Sequence, residues 1–163
     1  MELKEQAKLG GEFEIKFYKS KADLSKNKPY DSIKVHNKMT NASLAVISGL
    51  VGNTGTQTAF GYIALGTDNT AVSASHTALQ AEISTLGLGR ASTTNSRTTT
   101  TQTNDTLSMS ASWTASGSTT IEEIGVFNAS SSGVMLARSL TGSKGVSNGT
   151  IVTATYTWQA VGN

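Results

Sequence analysis

The chain has 163 residues, a net charge of +2 and no cysteine. A chain of this length most simply forms one domain with its own core, and the absence of cysteine excludes disulfides and cysteine zinc sites. Only 15% of the residues are charged, and the abundance of serine and threonine favours strands joined by many turns, because β-branched threonine suits a pleated sheet.

Charge is concentrated at the start of the chain. Residues 1–40 carry nine lysines and six acids. Because the lysines are interleaved with acids, this region indicates a solvated strand surface, and we expect no nucleic-acid partner. The sequence contains no apolar run of the about 18 residues that a membrane helix needs, and residues 1–15 lack the apolar stretch of a signal peptide. We therefore expect no membrane partner and a protein that is made in the cytosol.

The N-terminal third predicts an arm, two strands and a helix. Residues 1–12 are interpreted as a polar arm with Gly10-Gly11 as a flexible joint, and residues 13–163 as a single β-rich domain. Strict alternation around Phe13 and Val35 predicts two half-buried strands. Residues 21–30, which contain the only proline, predict a loop. Residues 41–51 then change to helical spacing, with a cap at Thr40 or Asn41 and an end at Gly52.

The remaining two thirds predict mainly strands. The apolar stretch near residues 60–66 predicts a strand, and residues 75–84 could form a second short helix. The threonine-rich stretch at residues 87–105 is compatible with a polar strand or with disorder, and its high threonine content favours a strand. Two long alternating strands follow near residues 107–114 and 151–161. Their apolar faces predict a continuous core through Leu107, Met109, Trp113, Tyr156 and Trp158. About eight short strands with one early helix predict a mainly β fold, a β-sandwich or jelly-roll-like domain.

Two adjacent glutamates in a predicted hairpin, Glu122 and Glu123, raise the question of an active site. Adjacent strand residues point to opposite faces, so the two carboxylates cannot converge unless a bulge intervenes. With residues 129–133 as the turn, Asn128 would face Val134 and Ile124 would face Arg138. Arg138 would then lie diagonally from Glu122 and form a surface ion pair. We expect these charges to stabilise a strand pair or a subunit contact.

Other catalytic signals are weak. His36 and His76 each stand alone, without a second ligand at metal-binding spacing. The sequence contains no nucleophile elbow and no phosphate-binding lysine motif. Asp68 and Asn69 are too few oxygen ligands for calcium. The sequence therefore predicts no enzyme activity, no metal and no cofactor.

Three stretches of residues 60–163 resemble a known family. The motifs are "GYIALGTDNTAVSASHTALQAEI" followed by an arginine, "IEEIGVFNASSSGVMLARSL", and the closing "GTIVTATYTWQAV". They are similar to a β-rich domain of small virion structural proteins of tailed bacteriophages, found in head-decoration, neck and tail-fibre proteins. The matching positions are Gly66, Thr77, Ala78, Leu79, Glu82, Ile121, Glu123, Ile124, Gly125, Val126, Phe127, Leu136, Ala137 and Arg138.

The resemblance implies an assembly function without catalysis. We expect a component of the virion that decorates the capsid or forms part of the neck or tail. It would form a homo-oligomer, most simply a trimer, and bind the major capsid protein or neck and tail proteins. The residues that we expect to support docking and assembly are Leu3 and Leu9 in the arm, together with Glu122, Glu123 and Arg138.

Two alternatives remain at the level of sequence. A receptor- or carbohydrate-binding tail-fibre module would use exposed aromatic rings as stacking platforms, the candidates being Tyr62, Trp113, Tyr156 and Trp158. The alternation of β-strand residues argues against Trp113 and Trp158, which fall on the apolar faces. A tail-tube or connector subunit would instead form a closed ring, with sheets continuous from one subunit to the next.

Overall fold

The structure is a computed structural model that describes residues 8–161, with side chains from residue 10 to residue 159. It contains ten strands and two helices within that range. These elements are β1 (Lys8–Tyr18), α1 (Lys21–Ser25), β2 (Asp31–His36), β3 (Lys38–Met39), α2 (Asn41–Gly52), β4 (Tyr62–Gly66), β5 (Ala91–Ser92), β6 (Thr94–Thr98), β7 (Thr106–Thr114), β8 (Thr119–Phe127), β9 (Met135–Val146) and β10 (Ile151–Val161).

The strands form two five-stranded antiparallel sheets. Sheet A has the order β2-β1-β10-β7-β6, and sheet B has the order β3-β9-β8-β4-β5. One apolar core contains side chains of both sheets, among them Phe13 and Tyr156 from sheet A and Ile63 and Ile124 from sheet B. The predicted mainly β fold is confirmed, and its form is a two-sheet sandwich.

The long alternating strands β7 and β10 lie side by side as their patterns indicate. Met109 is paired with Tyr156, and Leu107 is paired with Trp158. Met109, Trp113 and Tyr156 are buried, whereas Leu107 and Trp158 are partly buried and pack against the edge of the core. The predicted core face of these strands is therefore confirmed, with its two outermost members less enclosed than the others.

Helix α2 is confirmed, but its spacing did not identify its buried side. The Thr40 side chain accepts a hydrogen bond from the backbone N–H of Ser43 at 3.2 Å and caps the helix. The left-handed residue after the helix is Asn53, with φ of 47°. Inside the helix, Ser43 and Val46 are the buried residues. The periodic apolar residues remain largely outside the core, and their exposure is central to the surface described below.

The predicted second helix at residues 75–84 is wrong. This stretch belongs to a loop whose two ends are close, because the Thr67 N–H donates to Ala81 O and the Ile83 N–H donates to Leu65 O. Its backbone amides are used by a buried carboxylate, described below, in place of a helical ladder. A short helix, α1, occurs instead in the stretch predicted as a loop, where the Ser20 side chain accepts from the Asp23 N–H.

Part of the predicted arm, residues 8–12, belongs to a strand. Residues 1–7, which include Leu3, lie outside the described residues, and so does the side chain of Leu9. Residues 8–12 belong to β1 and pair with β10, so Gly10-Gly11 is part of a sheet and no joint. Packing requires a glycine at position 11, since a Cβ there would overlap the ring of Tyr156.

Candidate functional site

The hairpin of β8 and β9 carries the predicted site, and its register differs from the prediction by one residue. Val126 pairs with Ala137, but Phe127 pairs with Met135, so β9 has an extra residue at this point. Gly125 is consequently the residue opposite Arg138, where Ile124 was predicted. The bulge turns the Arg138 side chain to the outer face of sheet B, the face that points away from sheet A.

Arg138 forms an ion pair with Glu123, and both side chains are fully buried. The distance between Arg138 Nε and Glu123 Oε2 is 2.6 Å. The predicted surface pair of Arg138 with Glu122 is therefore wrong in its partner and in its location. The predicted docking role of Glu123 and Arg138 also requires correction, because neither side chain is accessible to a neighbouring molecule.

The buried pair holds the loop of residues 67–82 against sheet B. The Glu123 carboxylate accepts hydrogen bonds from the backbone N–H of Ala81 at 2.8 Å and of Gln80 at 3.1 Å. Arg138 Nη1 donates to the backbone carbonyl of Thr70 at 2.9 Å. The pair thus binds both sides of the loop, and we name these contacts the Glu123–Arg138 clamp.

Two further polar groups of the loop face the guanidinium. Nδ1 of His76 lies 3.3 Å from Arg138 Nη1, and Oδ1 of Asp68 lies 3.7 Å from Nη2. The pKa of the Asp68 carboxyl is lowered, mainly by hydrogen bonds from Thr70 and further by the nearby charge of Arg138. The carboxylate form of Asp68 is therefore favoured beside the arginine, which supports the closed loop.

A second clamp joins the loop to the tip of the hairpin. Arg90 forms two hydrogen bonds with the Glu82 carboxylate, at 2.9 Å and 2.6 Å, and donates to the backbone carbonyls of Ala129 and Ser132. Its guanidinium lies 3.7 Å above the ring of Phe127. Sequence reasoning assigned Arg90 no partner, and the spacing of eight residues to Glu82 across a loop offers no periodic signal.

Glu122 has a separate, local contact. Its carboxylate accepts hydrogen bonds from the backbone N–H of Ser143 at 3.0 Å and from the Ser143 hydroxyl. Ser143 and Gly142 have positive φ angles in an irregular part of β9. The two adjacent glutamates therefore do not converge on a common point. One stabilises an outer bulge, and the other is buried under the loop.

The described residues bring together no metal-binding cluster. No group of three or more histidine, aspartate or glutamate side chains in residues 10–159 is placed to hold a metal ion. His36 lies on β2, where its Nε2 is 3.8 Å from Glu12 Oε2. His76 instead belongs to the loop beside Arg138, so the two histidines are on different elements.

Among the helices described, none has the length and apolar character to span a membrane.

The aromatic residues that a receptor-binding module would need are mostly enclosed. Tyr156 is fully buried, and Trp113 is 5% exposed with its Nε1 donating to Gly89 O. Trp158 and Tyr62 are partly buried against apolar neighbours. Trp113 and Tyr156 thus present no open ring face on which a sugar could stack.

The accessible surface has a different character. The outer face of sheet A carries rows of small hydroxyl side chains, such as Ser110 opposite Thr155 and Ser112 opposite Thr153. Helix α2 exposes an apolar surface that we name the α2 patch. The patch consists of Leu44, Ile47, Leu50 and Val51.

Comparisons with protein-family models, with curated protein sequences and with solved structures found no match to this chain. The resemblance to phage virion proteins therefore stays a prediction that depends on its motifs. The structure gives these motifs a shared physical role, because many of them meet where the loop covers sheet B. Gly66, for example, leaves room for the Glu123 carboxylate, and Gly125 lies against Leu79.

Proposed function

We propose that this chain is a non-enzymatic structural component of a tailed-phage virion that acts through self-assembly and docking. In this proposal the protein is made in the host cytoplasm and resides in the virion, on the capsid or in the neck or tail. Its partners are further copies of itself and the major capsid protein or neck and tail proteins. Residues 1–7, with Leu3 as an apolar anchor, are proposed to contribute to docking.

The proposal is supported mainly by the contacts of the charged motif residues, which pair with one another. Glu123, Arg138, Glu82 and Arg90 are all engaged in clamps that attach a loop to the sandwich. The Glu123–Arg138 pair is fully enclosed beneath the loop, so it offers no open position for a substrate. Within residues 10–159, the accessible surface includes polar sheet faces and the α2 patch, and such surfaces suit protein contacts.

Binding to particles tests this proposal. Purified chain would be mixed with phage particles that lack it, and particle-bound protein would be measured after sedimentation through a density cushion. We expect saturable binding at a fixed number of copies per particle. A chain that starts at Lys8 preserves every described strand pair and should bind more weakly, because it lacks Leu3. The absence of saturable binding by the complete chain would contradict the proposal.

A further inference from the structure

Strand β6 is an open edge of sheet A. Among the described residues it pairs only with β7, and all five of its residues are exposed. Natural edge strands are commonly protected from pairing by charges, proline or bulges. β6 has the sequence TNSRT, with Arg97 as its single charge and no proline. The opposite edge, β2, carries Asp31, Lys34 and a histidine, so β6 is the edge better suited to pairing.

The α2 patch lies next to this edge. An apolar groove of about 300 Å³ is lined by α2 residues, by Leu107 and Trp158 of sheet A, and by Asn95 of β6. Val51 at the end of α2 is 85% exposed and Leu44 is 49% exposed. The stretch from residue 39 to residue 67 contains no charged residue. The open edge and the apolar surface therefore adjoin.

We propose that the partner of this surface is a second copy of the chain, bound through β6 of each copy around a two-fold axis. In an antiparallel pair, opposed residues point to the same face of the sheet. A two-fold axis perpendicular to sheet A must therefore pass through a residue that opposes itself. Centring the axis on Ser96 pairs all five residues and sets Arg97 opposite the partner's Asn95. Centring it on Arg97 would oppose two like charges.

This pairing also explains why the helix surface is uncharged. The axis keeps both α2 helices on the same side of the resulting ten-stranded sheet, next to the seam between the copies. In an isologous contact the same surface of both copies meets around the axis, so a charge close to the axis would lie near its own copy. The α2 patch has none, and covering exposed Val51 and the groove removes apolar area from water.

A head-to-tail arrangement fits less well. It would set β6 of one copy against β2 of the next. Strand direction alternates along sheet A, so its first and fifth strands run in the same direction and would pair in parallel, which is slightly less stable per residue. Asp31 of β2 is in addition held by Lys144 at 2.9 Å. The antiparallel pair of two β6 strands is therefore favoured over a ring.

The inference rests on the proposed assembly function, for which it names a partner and a surface. Sedimentation of the purified full chain, without any virion component, tests it separately from particle binding. We expect a dimer that dissociates on dilution, in place of the trimer that the sequence resemblance suggested. Ser96→Glu and Ser96→Lys should each raise the dissociation constant at least about fivefold, because each places like charges opposite each other. An equimolar mixture of the two variants should restore the dimer, because opposite charges then meet.

The control is Ser112→Glu, an exposed serine on the same face of sheet A but on the inner strand β7. It should dimerise like the original chain. Thermal melting of each variant confirms that it is folded. A monomer, a trimer or a larger closed ring as the main species would overturn the inference. So would a dimer that Ser96→Glu leaves unchanged, or a variant mixture that stays monomeric.

Discussion

Replacing Glu123 by glutamine tests the Glu123–Arg138 clamp most severely. Glutamine has nearly the shape of glutamate, but it has no charge and only one acceptor oxygen. The variant removes the directly bonded counter-ion of the buried Arg138 guanidinium and leaves only the Asp68 carboxylate at 3.7 Å, and it leaves a backbone N–H of the loop without an acceptor. Breaking a buried ion pair in this way costs about 3–5 kcal/mol, a large part of the about 5–15 kcal/mol that stabilises a typical domain.

The neighbouring glutamate provides a matched control. Glu122→Gln is the same chemical change one residue away, at a partly exposed carboxylate that contacts Ser143. It should cost about 1 kcal/mol or less, because only a solvent-accessible hydrogen bond is weakened. Combining Glu123→Gln with Arg138→Met should cost less than the sum of the two single changes, because the double variant leaves no unpaired buried charge.

Urea denaturation followed by tryptophan fluorescence measures these differences, provided that the slope of the transition is the same in all variants. We expect Glu123→Gln to shift the midpoint far more than Glu122→Gln does. Equal effects of the two single variants, each within about 1 kcal/mol of the original chain, would refute the buried clamp.

Three further predictions concern the core and the acid range. Trp113→Ala should lower the free energy of unfolding by about 3–5 kcal/mol, and partly exposed Trp158→Ala by less; equal losses in urea denaturation would contradict the burial difference. Tyr156→Phe should stabilise the fold by up to about 1 kcal/mol, because its buried hydroxyl has no hydrogen-bond partner among the described residues; a destabilised variant would show that the hydroxyl does form a hydrogen bond. Hydrogen bonds, foremost from the Gln102 N–H, lower the pKa of Asp105 from 3.8, so the stability they provide is complete above that pH and is lost as the pH falls below it. In Asp105→Asn, the melting temperature should therefore decline less steeply below pH 3.8 than in the original chain. An equally steep decline would contradict this role of the Asp105 carboxylate.

Periodic patterns predicted the sandwich because they are local. Alternation along β7 and β10 is a property of each strand alone, and it identified the buried side of Met109 and Tyr156 correctly. The cap at Thr40 is likewise local, and it identified the start of α2. The buried side of α2 depends on which elements pack against it, so its spacing located the helix without showing that Val51 faces solvent.

The clamp could not be derived from the sequence because it depends on one irregularity in strand pairing. Because β9 has one extra residue, Arg138 lies opposite Gly125, where Ile124 was predicted, and the Arg138 side chain points beneath the loop. The loop itself has a helix-like spacing at Leu79 and Ile83, but a buried carboxylate takes the amides of Gln80 and Ala81. A tertiary contact has thus overridden the local preference.

Quantitative mass spectrometry of purified phage particles tests the proposed structural role most directly. Particles from a host that carries this gene would be purified on a density gradient, and the chain would be quantified against the major capsid protein. The account predicts a constant, defined copy number per particle that survives a high-salt wash. A chain that is produced in infected cells but is missing from the purified particles would contradict it.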